Sequence, residues 1–89
     1  MQWKISKPDN FERKQVRLLP KSAARKLQSV MVDMLHSNDP RQFGIWKDTK
    51  HGPAYVADLN DSYRLAYRID NDTIIIIKVG DHKEVYGKD

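Results

Sequence analysis

Two arginines share one face of a segment whose other residues predict an apolar strand. Residues 63–69 alternate with the strand period of two, which puts Arg64 and Arg68 on the same side. Two guanidinium groups make a poor core, but arginine can hold a phosphate through two parallel hydrogen bonds. The alternative is a solvated face on which both arginines pair with Asp58, Asp61 or Asp70. A phosphate site and an exposed ion-pair face are both compatible with this pattern.

A second group of reactive side chains lies close to the C-terminus. His82, Lys83 and Tyr86 stand near one another in the sequence and offer a proton acceptor, a cation and a phenol. Cleavage of RNA by its own 2′-hydroxyl needs such parts: a base, stabilisation of the phosphorane, and an acid for the leaving 5′-oxygen. The alternative is a polar tail without a function, which is common at chain termini.

Several kinds of site are excluded or disfavoured by residue type. The chain has no cysteine, which excludes a disulfide framework, a thiolate metal site and a cysteine nucleophile. The three histidines are too scattered for a zinc signature, and isolated glycines form no phosphate-binding loop. We therefore expect neither a metal nor a cofactor. No apolar run reaches the roughly 20 residues that span a bilayer, so we expect a cytoplasmic protein without membrane contact.

The net charge of +4 is unevenly distributed, because most basic residues fall in the first 50 positions. A basic surface attracts polyanions by releasing their condensed counterions, although it can also serve only for solubility. We expect nucleic-acid contact. The residues predicted to contact RNA are Arg13, Lys14, Arg17, Lys21, Arg25, Lys26, Lys47, Lys50 and Arg68.

The elements that must position these side chains predict a single α+β domain over residues 1–89. An N-terminal strand precedes an antiparallel helix hairpin, a long loop and a three-stranded antiparallel meander. We expect Ile45 and Trp46 to pin the loop to the body, Val79 to end the last strand, and a polar tail to follow. The predicted bounds are 2–6 for the first strand, Asp9 or Asn10 to about Leu19 for the first helix, 23–36 for the second with Ser22 as its cap, 37–52 for the loop, and 54–59, 63–69 and 74–77 for the meander.

Three short motifs resemble one known superfamily. The segment SYRLAYRI at 62–69, then Val79-Gly80 and Glu84-Val85-Tyr86, resemble the "YRLxY … VG … EVY" pattern of RelE-type toxins in the RelE/ParE superfamily. The element order is similar over most of the chain. The resemblance implies a toxin of a type II toxin–antitoxin system. It implies a metal-independent mRNA endoribonuclease that acts on the ribosome and inhibits translation, with a cognate antitoxin protein, the ribosome and mRNA as partners.

The same resemblance implies roles for individual residues. Arg64 matches the arginine that binds the scissile phosphate, and Tyr86 matches the tyrosine that assists proton transfer. The basic residue after the glycine falls on His82 or Lys83. The catalytic lysine of the superfamily aligns with Asp58, which cannot do the work of a lysine. The candidates to replace it are Lys47, Lys50 and His51 from the predicted loop, with His82 as an alternative base.

Two other functions are compatible with the same fold, since fold alone does not determine function. One is a ParE-like inhibitor of DNA gyrase, and the other is a non-catalytic RNA-binding or adaptor domain. Convergence of Arg64, His82 and Tyr86 favours the ribonuclease. Side chains pointing to opposite faces of the sheet would favour the other two.

Overall fold

The computed structural model describes residues 2–87, and its core is one five-stranded sheet in the order β1-β5-β4-β3-β2. Strand β1 is parallel to β5, and the other neighbours are antiparallel. The predicted α+β class is confirmed. Met1, Lys88 and Asp89, which belong to the predicted domain and tail, lie outside the described residues.

The elements are β1 Lys4–Ser6, α1 Phe11–Lys14, a 3-10 turn Val16–Leu18, α2 Lys21–His36, a second 3-10 turn Pro40–Phe43, β2 Ile45–Thr49, β3 Gly52–Asp58, β4 Tyr63–Asp70, β5 Thr73–Asp81 and α3 His82–Tyr86.

Helix α2 covers one face of the sheet through the apolar stripe that the sequence predicts. Ala23, Leu27, Val30 and Met34 are its buried residues, because their spacing of three and four puts them on one side of a helix. They pack in one core with inward-facing residues of β3, β4 and β5. The helix begins at Lys21 after Pro20, and the predicted cap at Ser22 is wrong. No helix among residues 2–87 is long and apolar enough to cross a membrane.

The predicted first helix to Leu19 is wrong, because helix α1 ends after one turn and a separate 3-10 turn follows. Gln15 lies between them, with its φ displaced to −119° from the usual helical value. Its side-chain oxygen accepts a hydrogen bond of 2.9 Å from the backbone N–H of Val79 in β5. Strand β1 pairs with β5 only as far as Ile75. The glutamine thus accepts the N–H of Val79, which strand β1 is too short to reach.

The predicted loop over 37–52 is also wrong, since it contains a 3-10 turn and the edge strand β2. Asp39 begins the turn by accepting the backbone N–H of Arg41. Strand β2 pairs along its whole length with β3, so the meander has four strands. Ile45 and Trp46 are 66% and 57% exposed and do not pin this segment to the body. That contact comes from Pro40, which is buried, and from Phe43, which packs on the core.

Strand β4 serves both faces of the sheet, as its alternation predicts. Leu65 and Tyr67 are buried in the core beneath α2. Ala66 is buried on the other side, against Val85 of α3. Strand β5 does not end at Val79 but continues to Asp81, and the predicted polar tail begins with helix α3. Arg64 and the C-terminal residues therefore meet on the face opposite α2.

The Tyr67 hydroxyl generates a stability prediction. It donates a hydrogen bond of 2.7 Å to the carbonyl of Pro40 and has no exposed surface. Burial is the main cause that raises the pKa of this phenol, with Tyr55 and Asp39 adding to it. Replacing Tyr67 by Phe leaves the buried Pro40 carbonyl without this donor. The expected cost is about 1–3 kcal/mol in the free energy of unfolding, measured by urea denaturation.

The control for this variant is Tyr63→Phe, since no hydrogen bond of the Tyr63 hydroxyl is found within residues 2–87. A raised folded pKa gives stability that is complete below the unfolded value, about 10, and is lost as the pH rises through the folded value. The free energy of unfolding of Tyr67→Phe should therefore fall less steeply with rising alkaline pH than that of the wild type. Equal stability of the two variants would contradict the role of this hydrogen bond.

Candidate functional site

A cavity of about 410 Å³ lies on the face of the sheet opposite α2. Strands β2, β3 and β4 contribute one part of its wall, and helix α3 contributes the other. The lining residues are Ile45, Lys47, Asp48, Val56, Asp58, Arg64, His82 and Tyr86. Arg64, His82 and Tyr86 thus converge, which is the arrangement that the sequence analysis tied to a ribonuclease.

Helix α3 is fixed at its N-terminus by a capping box. The Asp81 carboxylate accepts the backbone N–H of Glu84 at 2.8 Å, and the Glu84 carboxylate accepts the backbone N–H of Asp81 at 3.0 Å. Gly80 makes room for this exchange, because a Cβ there would lie 2.7 Å from the Glu84 Oε1 atom. Gly87 ends the helix with φ at +84°, a conformation that favours glycine. These contacts fix the orientation of α3 and therefore the direction in which the His82 and Tyr86 side chains point.

The β2–β3 hairpin holds the other end of α3. The backbone N–H of Lys50 donates to the carbonyl of Val85 at 3.0 Å, and the His51 ring Nε2 lies 3.3 Å from the carbonyl of Glu84. Lys50 and His51 therefore contact α3 from the turn and do not line the cavity. Their suggested part in replacing the missing lysine stays a prediction that this placement does not favour.

Arg68 braces the same hairpin. Its Nε donates to the carbonyl of Pro53 and its Nη2 to the carbonyl of His51, both at 2.7 Å. It does not line the cavity, so the two arginines of β4 have different surroundings. The predicted contact of Arg68 with RNA stays a prediction, and its contacts in this structure give it a positioning role.

The guanidinium of Arg64 is held by the β3–β4 turn and by one carboxylate. Its Nη1 donates to the carbonyls of Asn60 at 2.8 Å and Tyr63 at 3.0 Å, and its Nη2 lies 3.4 Å from the carbonyl of Asp61. Its Nε pairs with Asp58 Oδ1 at 2.8 Å. The Arg64 side chain is 17% exposed and that of Asp58 is 76% exposed. The carboxylate can therefore move aside for another anion while the arginine stays in place.

Tyr86 and His82 form the helical side of the cavity, with ring centroids 4.5 Å apart. Burial is the main cause that raises the pKa of the Tyr86 phenol. Asp58 adds to that increase, and Arg64 opposes it. An ordinary phenol already keeps its proton at neutral pH, and a raised pKa strengthens that state. Tyr86 therefore carries its proton at neutral pH, which is the form that a proton donor requires.

The remaining predicted site residues lie apart from the cavity or at its rim. Lys47 lines it from β2, whereas Lys83 is exposed on α3 and does not line it. Six basic side chains are exposed on α1, on the first 3-10 turn and on the first half of α2, and we call them the basic surface. They are Arg13, Lys14, Arg17, Lys21, Arg25 and Lys26. Within residues 2–87 no group of three or more His, Asp or Glu side chains could hold a metal ion.

Sequence reasoning missed four of the residues that line the cavity. Ile45 and Asp48 belong to the strand that was predicted as a loop, and Val56 was not singled out. Asp58 was predicted as a possible ion-pair partner of the two arginines, which its contact with Arg64 confirms, and as a departure from the superfamily, but not as a cavity residue. A signal for Asp58 was available: the short turn makes it the cross-strand partner of Arg64.

Comparison with known proteins defines the family. Residues 12–86 match the family model for the ParE toxin of the type II toxin–antitoxin system, parDE. This chain belongs to that toxin family. Its place in the RelE/ParE superfamily, which the short motifs indicated, is thereby confirmed.

One solved structure supports the same fold. A chain of the archaeal RelE–RelB complex from Pyrococcus horikoshii OT3 is 22% identical to this chain, with a TM-score of 0.67. The match covers 91% of this chain and 96% of the archaeal one. Among curated proteins there is no significant match.

The capping box generates a prediction about the toxin's C-terminal helix. Asp81→Ala removes the acceptor for the Glu84 N–H, and loss of such a cap costs about 0.5–2 kcal/mol. We expect a lower thermal midpoint and a weaker nuclear Overhauser contact between the His82 and Tyr86 rings. Asp81→Asn keeps a side-chain oxygen and should behave almost like the wild type. Equal ring contacts in the Ala and Asn variants would show that the cap does not position these side chains.

Proposed function

We propose that this toxin is an endoribonuclease that cleaves mRNA on the ribosome and thereby inhibits translation. The observation that supports it is the shared cavity of Arg64, His82 and Tyr86. A protein that only binds a surface does not require an anion-binding guanidinium, an imidazole and a protonated phenol around one opening.

The chemistry follows from the surroundings of each group. Arg64 is held in place by backbone carbonyls, so it presents a fixed cation to the scissile phosphate when Asp58 gives way. Lys47 adds positive charge from β2 against the charge that develops on the phosphorane. Tyr86, whose pKa is raised mainly by burial, donates its proton to the departing 5′-oxygen. In-line attack by the 2′-hydroxyl then leaves a 2′,3′-cyclic phosphate and a 5′-hydroxyl.

The proposed ribosome contact rests on the basic surface, whose six side chains are all exposed. They lie on α2 and on the two short elements before it, and α2 packs on the opposite face of the sheet from the cavity. Such residues can bind the ribosomal RNA backbone while the cavity faces the mRNA. Binding and cleavage are then carried out by different sides of the domain.

A cognate antitoxin is the second proposed partner. Membership of a toxin–antitoxin family supports it, and the similar archaeal chain was solved as a RelE–RelB complex. The basic surface favours an acidic partner, because opposite charges steer association.

Inhibition of DNA gyrase is the second candidate function, because the matching family model describes ParE toxins. A non-catalytic RNA-binding or adaptor domain is less well supported, since that hypothesis predicted no convergence on Arg64. The two leading candidates differ in a direct assay. A ribonuclease cuts mRNA and leaves gyrase active, and a gyrase inhibitor does the reverse.

The decisive experiment is primer extension on an mRNA translated in vitro with the toxin present, beside a gyrase supercoiling assay. We expect cuts at defined codon positions and undisturbed supercoiling. Arg64→Ala should lower the cleavage rate by about 10²–10³, as removal of a preorganised donor to an oxyanion does. Arg41→Ala removes an exposed arginine that pairs only with Asp39 among the described acids, and it should cleave normally.

Folding must be checked for the Arg64 variant, since this side chain also holds the β3–β4 turn. Arg64→Lys serves as a second variant that keeps the positive charge without the planar fork. Full cleavage by a folded Arg64→Ala protein would remove this residue from the site. Inhibited supercoiling without any mRNA cut would favour the gyrase function.

The basic surface generates a separate prediction about salt. Replacing Arg17 and Arg25 by Glu should weaken ribosome binding. It should also reduce the log–log dependence of the binding constant on salt by about one unit per lost phosphate contact. Lys4→Glu reverses one exposed charge of β1, outside the basic surface, and is the control for the effect of each single charge reversal. An unchanged salt dependence in the double variant would mean that the basic surface does not contact the ribosome.

A further inference from the structure

A carboxylate stands beside the anion-binding arginine of the cavity. Asp58 ends β3 and is the direct cross-strand partner of Arg64 on β4. The pair is joined by a contact of 2.8 Å between Asp58 Oδ1 and Arg64 Nε. Both side chains line the cavity. A group bound to Arg64 would therefore lie within reach of Asp58.

This position meets the requirement for a base in RNA cleavage. The attacking 2′-hydroxyl is on the ribose next to the scissile phosphate, so its base must lie close to the group that holds that phosphate. An ionised carboxylate is a hydrogen-bond acceptor only, and it needs no deprotonation before it acts. The side chain is 76% exposed, which leaves it free to move from Arg64 to the hydroxyl. We propose that Asp58 is the general base of this toxin, an inference that rests on the proposed ribonuclease function.

The other candidates are less suitable. Lys47 lines the cavity, but an ammonium group has three donors and no acceptor. Lys50 and His51 contact the carbonyls of α3 from the hairpin. His82 lies against the Tyr86 ring, beside the proposed proton donor. Asp58 and Tyr86 then form a pair in which one group is ready to accept a proton and the other to donate one.

The proton balance of the step is complete with these groups. Asp58 takes the proton of the 2′-hydroxyl as the bond between O2′ and phosphorus forms. The bond between phosphorus and O5′ breaks, and Tyr86 donates its proton to O5′. Arg64 stays bound to the non-bridging oxygens throughout. Solvent returns the lost proton to Tyr86 and removes the gained proton from Asp58, so no further reactant is required.

The test compares Asp58→Asn with the wild type on a ribosome programmed with mRNA. Loss of a general base typically lowers the rate by about 10²–10⁴, and this loss should appear in kcat. Without the base, the attacking hydroxyl depends on hydroxide. The Asn variant should then speed up by about tenfold per pH unit over roughly pH 6–8, with a shallower rise in the wild type. Asp58→Glu should restore part of the rate, and Asp33→Asn, which changes an exposed carboxylate of α2 outside the cavity, should change little.

An mRNA with sulfur in place of the scissile 5′-oxygen separates base from acid. Sulfur leaves without a proton, so this substrate should rescue Tyr86→Phe but not Asp58→Asn. Rescue of Asp58→Asn, or a rise in KM with unchanged kcat, would overturn the assignment and make Asp58 a residue that only positions Arg64. A wild-type rate in Asp58→Asn would also overturn it. Failure of the wild-type toxin to cut any mRNA would instead reject the proposed function itself.

Discussion

Val85 is fully buried against the face of the sheet that α2 does not cover, where Ala66 and Val56 receive it. The rest of the candidate site depends on this contact. Small residues in β3 and β4 let a short helix approach the sheet closely, and Val85 is its one buried side chain. Five residues cannot hold a helix by backbone hydrogen bonds alone. The capping box at one end and the β2–β3 hairpin at the other supply the missing constraint.

The face of the sheet opposite α2 consequently has two regions, an apolar one that packs against α3 and a polar one that lines the cavity. Where α3 touches the sheet, the surface is apolar and closed. At the end of β3 and the start of β4 the sheet carries Asp58 and Arg64 instead. Tyr86 of α3 lies on the opposite wall of the cavity that opens there. A guanidinium in such a half-buried place requires partners, and three carbonyls from the β3–β4 turn region supply them. Backbone acceptors fix the arginine without neutralising it, which leaves its charge available to an anion once Asp58 moves.

Sequence periodicity was sufficient to predict which residues are buried wherever an element buries one side in a regular repeat. The stripe of α2 and the alternation of β4 were both predicted, because burial on one side leaves a period in the sequence. Strand β2 leaves none: four of its five residues are exposed, so Lys47 and Asp48 made it look like a loop. The break at Gln15 depends on an acceptor that Val79 needs far along the chain. Helix α3 was missed although Asp81 and Glu84 have the spacing of a capping box, because its five residues are too few to show an apolar period.

The residues of the candidate site also fall into those that local sequence identifies and those that depend on contacts between distant segments. Motif resemblance identified Arg64, His82 and Tyr86, because each of them lies in or beside a short linear motif that can be read from the sequence. The roles of Asp58, Lys50 and Arg68 depend on cross-strand register and on one hairpin, which a linear motif does not encode. Resemblance aligned Asp58 with a lysine and so treated it as a defect. The structure pairs it with Arg64 at 2.8 Å, a position in which an acceptor has a use that a second cation would not have.

The charges of the cavity also explain why capture and chemistry would be separated. The cavity is lined by two cations, Lys47 and Arg64, and by two carboxylates, Asp48 and Asp58, so the formal charges of these four side chains cancel. A neutral cavity gives free RNA little electrostatic reason to enter, since affinity for a polyanion grows with the number of phosphates that are neutralised. The basic surface lies on the elements of the other face. An mRNA would then reach the cavity efficiently only when a larger, negatively charged body brings it there, and a ribosome that binds the basic surface meets this condition.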